Sequence, residues 1–177
     1  MRKLPIEEIG RLSTEEYKQI KKLEVIVVLD DIRSHHNTGA IFRTCDAFAC
    51  KAVYLCGITG TPPHRDIHKT ALGATETVDW KYFNSAIEAV KELKSDGYKI
   101  IVLEIAEGSM KISDYNPHTS DKIAVILGNE VNGVQQKILD ICDYCLEIPQ
   151  YGTKHSLNVS VSGGLAIWEI CKKIRQF

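Results

Sequence analysis

Short apolar runs rich in valine and isoleucine recur along this chain, with polar or amphipathic stretches of helical length between them. Val25 to Leu29 is the clearest. It shows no polar alternation, which is the pattern of a strand covered on both faces. Ala52 to Cys56 is a second such run, and Thr77 to Phe83, Lys99 to Ile105, Lys122 to Leu127 and Cys145 to Ile148 read as further short strands. Parallel strands need a crossover long enough to hold a helix, so this alternation predicts an α/β fold with a parallel sheet flanked by helices.

The segments between the runs carry helix signals. Ser13 with Glu16 forms a capping-box pattern, opening a short helix through Leu23. Asn37 or Thr38 caps a helix bearing Ala40, Ile41, Cys45, Phe48 and Ala49. Asn84-Ser85 caps another with Ile87, Ala89, Val90 and Leu93, ended by Gly97. Val134 to Cys142 is expected to be helical, Gly57 to Leu72 a long loop, and Ala106 to Asp121 irregular. Residues 1–24 read as a short helical extension and 25–177 as one domain, large enough for a real core.

The stretch from Ile148 to Trp168 is the least ordinary. Pro149 ends strand pairing, Gly152 allows a sharp turn, and Ser156 stands where an N-cap is expected. Val159 to Ser162 alternates with period two, yet Leu157, Val161, Leu165 and Trp168 recur at helical spacing, which predicts a helix running to Lys172-Lys173. Ser160, Ser162, Gly163, Gly164 and Ala166 leave that helix little side-chain bulk, so something must approach it closely.

No apolar run approaches the roughly 18 residues of a membrane span. The opening residues lack the apolar core of a signal peptide, so a cytoplasmic protein with reduced cysteines is expected. A net charge of −1 gives no global attraction for nucleic acid; a basic face, if present, is local.

Parallel sheets bind ligands at the carboxyl ends of their strands. Here those ends are Asp30 onward, Leu103-Glu104, Leu127 to Glu130, and Ile148-Pro149, which offer carboxylates, glycines and apolar walls suited to a nucleoside-like ligand. Gly128 to Gly133 lacks the Lys-Ser/Thr of a P-loop, and phosphate loop and plain strand-to-helix turn both remain open. Cys142-x-x-Cys145 lacks a second pair for zinc and precedes a strand. His35-His36 reads as metal or phosphate binding or as a solvated loop, and Arg43 as functional or as a surface arginine. His155-Ser156 lacks a nucleophile elbow.

Asn37 through Phe48, Leu127 through Gly133, and Ile148-Pro149 through Ser156 to Val161 resemble, in order and spacing, the three motifs of the SpoU family of RNA ribose 2′-O-methyltransferases in the SPOUT superfamily. The resemblance runs from about residue 24 to the end. It implies methyl transfer from S-adenosylmethionine to a ribose 2′-hydroxyl of tRNA or rRNA, without a metal. It also implies a C-terminal α/β (trefoil) knot, an exception to the usual topology rules, and a homodimer with the C-terminal helix and the first motif at the interface, each site borrowing residues from the partner. Arg43 is then the principal catalytic residue, supported by Asn37, Glu130, Ser156 and Asn158. The cofactor would contact Leu103, Glu104, Gly128, Asn129, Ile148 and Leu157. Tyr151 and Gly163-Gly164 depart from the family's usual residues. RNA contact falls to Arg33, His35, His36, Lys51, Arg65, His68, Lys69 and Lys154. The alternative is a knotted RNA-binding module without catalysis.

Overall fold

The computed structural model describes residues 1–5 and 8–176. Seven strands form one sheet: β1 (Leu23–Asp30), β2 (Cys50–Cys56), β3 (Asp79–Phe83), β4 (Lys99–Leu103), β5 (Met110–Lys111), β6 (Ile123–Leu127) and β7 (Tyr144–Glu147). Their order is β3-β2-β1-β6-β4-β7-β5, and every pairing is parallel. The expected parallel α/β architecture is present. The central strands are buried on both faces: Val25 to Leu29 and Ile123 to Leu127 are at most 2% exposed.

Helices cover both faces. α2 (His35–Ala47), α3 (Arg65–Ala71), α4 (Ala74–Thr77) and α7 (Val159–Arg175) lie over one core, built on Val25, Val27, Leu29, Val53, Leu55, Val125 and Leu127. α5 (Ala86–Ser95) and α6 (Gln136–Leu139) cover the other, built on Ile26, Val28, Ile100, Val102, Ala124 and Ile126. Odd and even strand residues part to opposite faces, as the two-residue period of a strand requires. α1 (Thr14–Gln19) opens with the expected Ser13–Glu16 capping box, but ends before Leu23, which already belongs to β1.

Several expected boundaries move. α2 starts at His35, capped by Ser34, whose Oγ accepts from Asn37 N at 3.3 Å; neither Asn37 nor Thr38 is the cap. α7 is capped by Asn158, not Ser156, its Oδ1 accepting from Ser160 N at 2.9 Å and Val161 N at 3.4 Å. The loop expected over 57–72 contains α3, Thr77 lies in α4 ahead of β3, and the helix expected over 134–142 is one turn, Gln136–Leu139.

α7 does receive the close approach that its small residues demand. A Cβ on buried Gly163 would lie 2.6 Å from Leu127 Cδ1 and 2.7 Å from Ile41 Cδ1, so a side chain there would have to push those methyls aside for α7 to settle on β6 and α2. Gly164 faces open space. The helical spacing of Val161, Leu165 and Trp168 marks the exposed side of α7; its buried side is Val159, Gly163, Ala166, Ile167, Ile170, Cys171 and Ile174.

Candidate active site

Four leucines stand in register at the carboxyl ends of adjacent strands: Leu29 beside Leu127, Leu127 beside Leu103, Leu103 beside Leu146. Above this row opens a cleft of about 180 Å³, walled by Leu103 and Glu104 at the end of β4, Gly128 to Glu130 after β6, and Ile148, Ser156 and Leu157 on the stretch leading to α7. The six residues expected to hold a cofactor therefore share one cleft with Ser156 and Glu130.

The loop after β6 explains its own sequence. Asn129 and Gly133 bridge each other through Asn129 N to Gly133 O (3.1 Å) and Gly133 N to Asn129 O (2.9 Å). A Cβ on Gly128 would run into the backbone of Gly133 and Val134; Gly133 itself has φ +65° and sits against the Glu104 carboxylate. Both positions therefore need glycine. The Asn129 side chain is committed to the loop: Oδ1 accepts from Val131 N and Asn132 N, and Nδ2 donates to Asp31 O at 2.6 Å. Glu104 accepts from Ile105 N at 2.8 Å and Val134 N at 3.1 Å, which fixes its carboxylate in the cleft wall.

Beside the cleft, Glu130, Asn37 and Asn158 form a chain of hydrogen bonds. Glu130 accepts from Arg33 N (3.0 Å), Ser34 N (3.2 Å) and Asn37 Nδ2 (3.1 Å). Asn158 Nδ2 donates to Asn37 Oδ1 at 3.2 Å. The polarity is forced: a carboxylate can only accept, so Asn37 offers it the amide NH₂ and turns its oxygen to Asn158, whose own oxygen caps α7. Burial raises the Glu130 carboxyl, but the backbone bonds from Arg33, Ser34 and its own N–H, with the Asn37 amide, outweigh it and hold Glu130 below the usual carboxylate range. Such a group clamps; it is a poor proton acceptor at neutral pH.

Arg43 stands apart from this chain. It lies six residues beyond Asn37, about 9 Å along the axis of α2 at the usual helical rise. Its guanidinium is exposed beside a hollow shared with Phe48, Lys69 and Thr70. Among the described residues it has no hydrogen bond or ion pair. One chain thus gathers Asn37, Glu130, Ser156 and Asn158 around the cleft and leaves Arg43 on an outer surface. Lys51 also departs from expectation: it lies at the amino end of the sheet, paired with Glu24 at 2.7 Å, away from the cleft. Cys145 donates to Glu104 O at 3.5 Å, and burial pushes its thiol up to about 11, so the Cys-x-x-Cys pair has no reactive thiolate there.

Residues 24–168 match the SpoU rRNA Methylase family. The chain belongs to the SpoU family. It is 33% identical over 145 residues, 82% of its length, to the Neisseria meningitidis 23S rRNA (guanosine-2′-O-)-methyltransferase RlmB, of which it spans 57%. The chain thus covers little more than half of this curated relative. Its fold is close to that of the Aquifex aeolicus TrmH/SpoU tRNA modifying enzyme, with a TM-score of 0.82 and 26% identity over 92% of this chain and 81% of that one. An S-adenosylmethionine-bound rRNA methyltransferase from Sinorhizobium meliloti shares the fold at 0.78 and 23% identity, over 89% of this chain and 59% of that one. All three SpoU motifs lie inside the matched residues.

Reading the sequence missed the parts that hold these motifs together. Ser34 and the Arg33 amide clamp Glu130. Asp31, at φ +54°, accepts from Ile58 N through Oδ1 and from Asn129 through its carbonyl. The signal was available: an Asp, then a Ser three residues on, ahead of a helix, is a turn-and-cap pattern.

Proposed function

We propose that this chain is an RNA ribose 2′-O-methyltransferase that uses S-adenosylmethionine, acts on tRNA or rRNA, and works as a cytoplasmic homodimer in which residues 25–177 form the catalytic unit with a C-terminal α/β knot. The observation that carries the reading is the single cleft lined by the second and third motif segments, to which the Asn37–Glu130–Asn158 chain ties the first. The cleft's donor set fits the cofactor: Leu103, Ile148 and Leu157 supply apolar walls for an adenine, and the Glu104 carboxylate and Ser156 hydroxyl supply partners for hydroxyl and amino groups. The substrates support an RNA. The Neisseria relative is named for rRNA and the Aquifex neighbour for tRNA.

S-adenosylmethionine would supply a methyl group on a sulfonium: the ribose oxygen would form the new O–C bond as the C–S bond breaks, the sulfur leaving as the neutral thioether and the hydroxyl proton passing to water or an RNA phosphate. This chain's residues must hold that hydroxyl in line and stabilise the charge growing on its oxygen. A guanidinium suits the second task, since arginine stays protonated and donates in a fixed fork. Arg43 is the residue for it, and the homodimer gives its outward position a purpose: Arg43 of one protomer serves the partner's cleft. Asn37 and Asn158, oriented by the Glu130 clamp, position the ribose. The apolar side of α7, with Val161, Leu165 and Trp168 each 44–51% exposed, is the surface that the homodimer would cover.

The test is methyl transfer from labelled S-adenosylmethionine to tRNA and rRNA from cells lacking the protein, with Arg43→Ala alongside. Ribose 2′-O-methyl label in one pool, lost in the variant, upholds the reading. Absence of cofactor binding overturns it.

A further inference from the structure

The edge strand β3 and helix α3 enclose a second hollow, of about 470 Å³, that the proposed reaction leaves unused. Its walls include Pro63, His64, Arg65, His68, Glu76 and Trp80. We propose that it is a subsite for an unpaired nucleobase of the RNA substrate, next to the nucleotide being methylated; this rests on the RNA methyltransferase reading above.

Three observations converge on that occupant. Trp80 is 39% exposed on a strand with a neighbour on one side only, so an indole face lines the hollow. Indole is the sort of platform on which any base stacks. Arg65 and His68 are exposed one helical turn apart on α3, and among the described residues neither side chain has an ion pair or hydrogen bond. Glu76 is the one carboxylate among the described residues that line the hollow, against two basic side chains, so the rim suits a phosphate. Finally, the hollow is joined to the catalytic edge. The His64 ring, held by Asp66 N donating to its Nδ1 at 3.2 Å, stacks on His35 with centroids 3.7 Å apart and planes at 11°. His35 is two residues before Asn37, and a Cβ on Gly60 would collide with its ring, so the 57–64 loop is pressed against this wall. A strand whose ribose lies at Asn37 can pass along the two imidazoles and drop a neighbouring base onto Trp80.

A stacked duplex cannot offer such a base, whereas loops and bulges can. The proposal therefore specifies a substrate whose methylated nucleotide lies in a single-stranded loop.

The experiment uses the full chain with Trp168→Phe, which leaves Trp80 as its one tryptophan. Quenching of Trp80 by a short mixed-sequence single-stranded RNA, but not by a duplex of the same composition, is the expected result. In kinetics on the methylated RNA, Trp80→Ala should raise KM for RNA about tenfold, the size of one lost base stack, with cofactor affinity unchanged and Trp80→Phe close to wild type. Arg65→Ala should weaken binding of every RNA and lower the salt slope by about one. An unchanged KM in Trp80→Ala, or equal quenching by duplex, overturns the proposal and leaves a peptide as the occupant to seek. If no RNA is methylated by the wild type while single-stranded RNA still quenches Trp80, the reaction reading fails and the base subsite stands.

Discussion

Asn37 Nδ2 donates to Glu130 Oε1 at 3.1 Å, across 93 residues of sequence. That bond ties the loop after β6 to the first turn of α2, and Asn158 extends the tie to the start of α7. Three segments far apart in sequence are thus tied by one carboxylate and two amides beside the cleft.

Glu130→Gln tests the clamp. One oxygen is replaced by a donor facing a backbone N–H, so the variant should lose about 1 kcal/mol at neutral pH, a partly exposed hydrogen bond's worth, and at least tenfold in methyl transfer. The pH dependence has a definite sign. The folded carboxyl is held below its ordinary 4.5, so the unfolded chain takes up this proton first. Glu130's contribution is complete above the unfolded value and is lost as pH falls through the folded one. Urea unfolding of both proteins from pH 7 to pH 3.5 should show the gap closing below about 4.5; a gap that widens on acidification would refute the clamp.

Arg43 gives a kinetic prediction. It lies outside the hydrogen-bonded cluster, so Arg43→Ala should leave the fold and cofactor affinity intact while lowering kcat by a factor of about 100–1,000, the usual cost of one charge-stabilising donor. Lysine keeps the charge but not the fork, and Arg43→Lys should recover only part. Calorimetric cofactor binding beside single-turnover rates separates the two effects. Equal loss of both would assign Arg43 to binding.

The adjacent glycines of α7 should behave oppositely. Gly163→Val drives methyls into Leu127 and Ile41, so it should cost about 1–3 kcal/mol. Gly164→Ala meets open space in a helix interior, where alanine is favoured over glycine by about 1 kcal/mol, so its melting temperature should hold or rise. Thermal denaturation of the two variants, side by side, decides it.

The sheet was legible because a valine run buried on both faces looks like nothing else; Val25 to Leu29 and Lys122 to Leu127 could be placed within a residue or two. The caps were not. Asn37 and Asn158 look equally like caps, and only the fold decides that Ser34 takes the first task, freeing Asn37 for Glu130, while Asn158 does both. α3 hid behind Pro62-Pro63 and an unusual His64 cap. The six residues expected to meet the cofactor do line one cleft, yet Arg43 lies away from it, and spacing along a helix could not show that.

α7 carried two apolar stripes, and periodicity could not say which faced inward. The one left outside, Val161, Leu165 and Trp168, supplies the last prediction. Trp168 packs edge-on to Phe48, with centroids 5.6 Å apart, so the stripe continues onto α2 near Arg43. Leu165→Glu places a charge in its centre without touching the core: Leu165 is 46% exposed, and the folded single chain should tolerate it. A homodimer burying that stripe should not, because an unpaired charge in an apolar interface costs several kcal/mol. Sedimentation should therefore show wild type at twice the chain mass and Leu165→Glu at the chain mass, with native circular dichroism and methyl transfer lost as Arg43 leaves the partner's cleft. A monomeric variant that retains full activity would place Arg43 in its own chain's site.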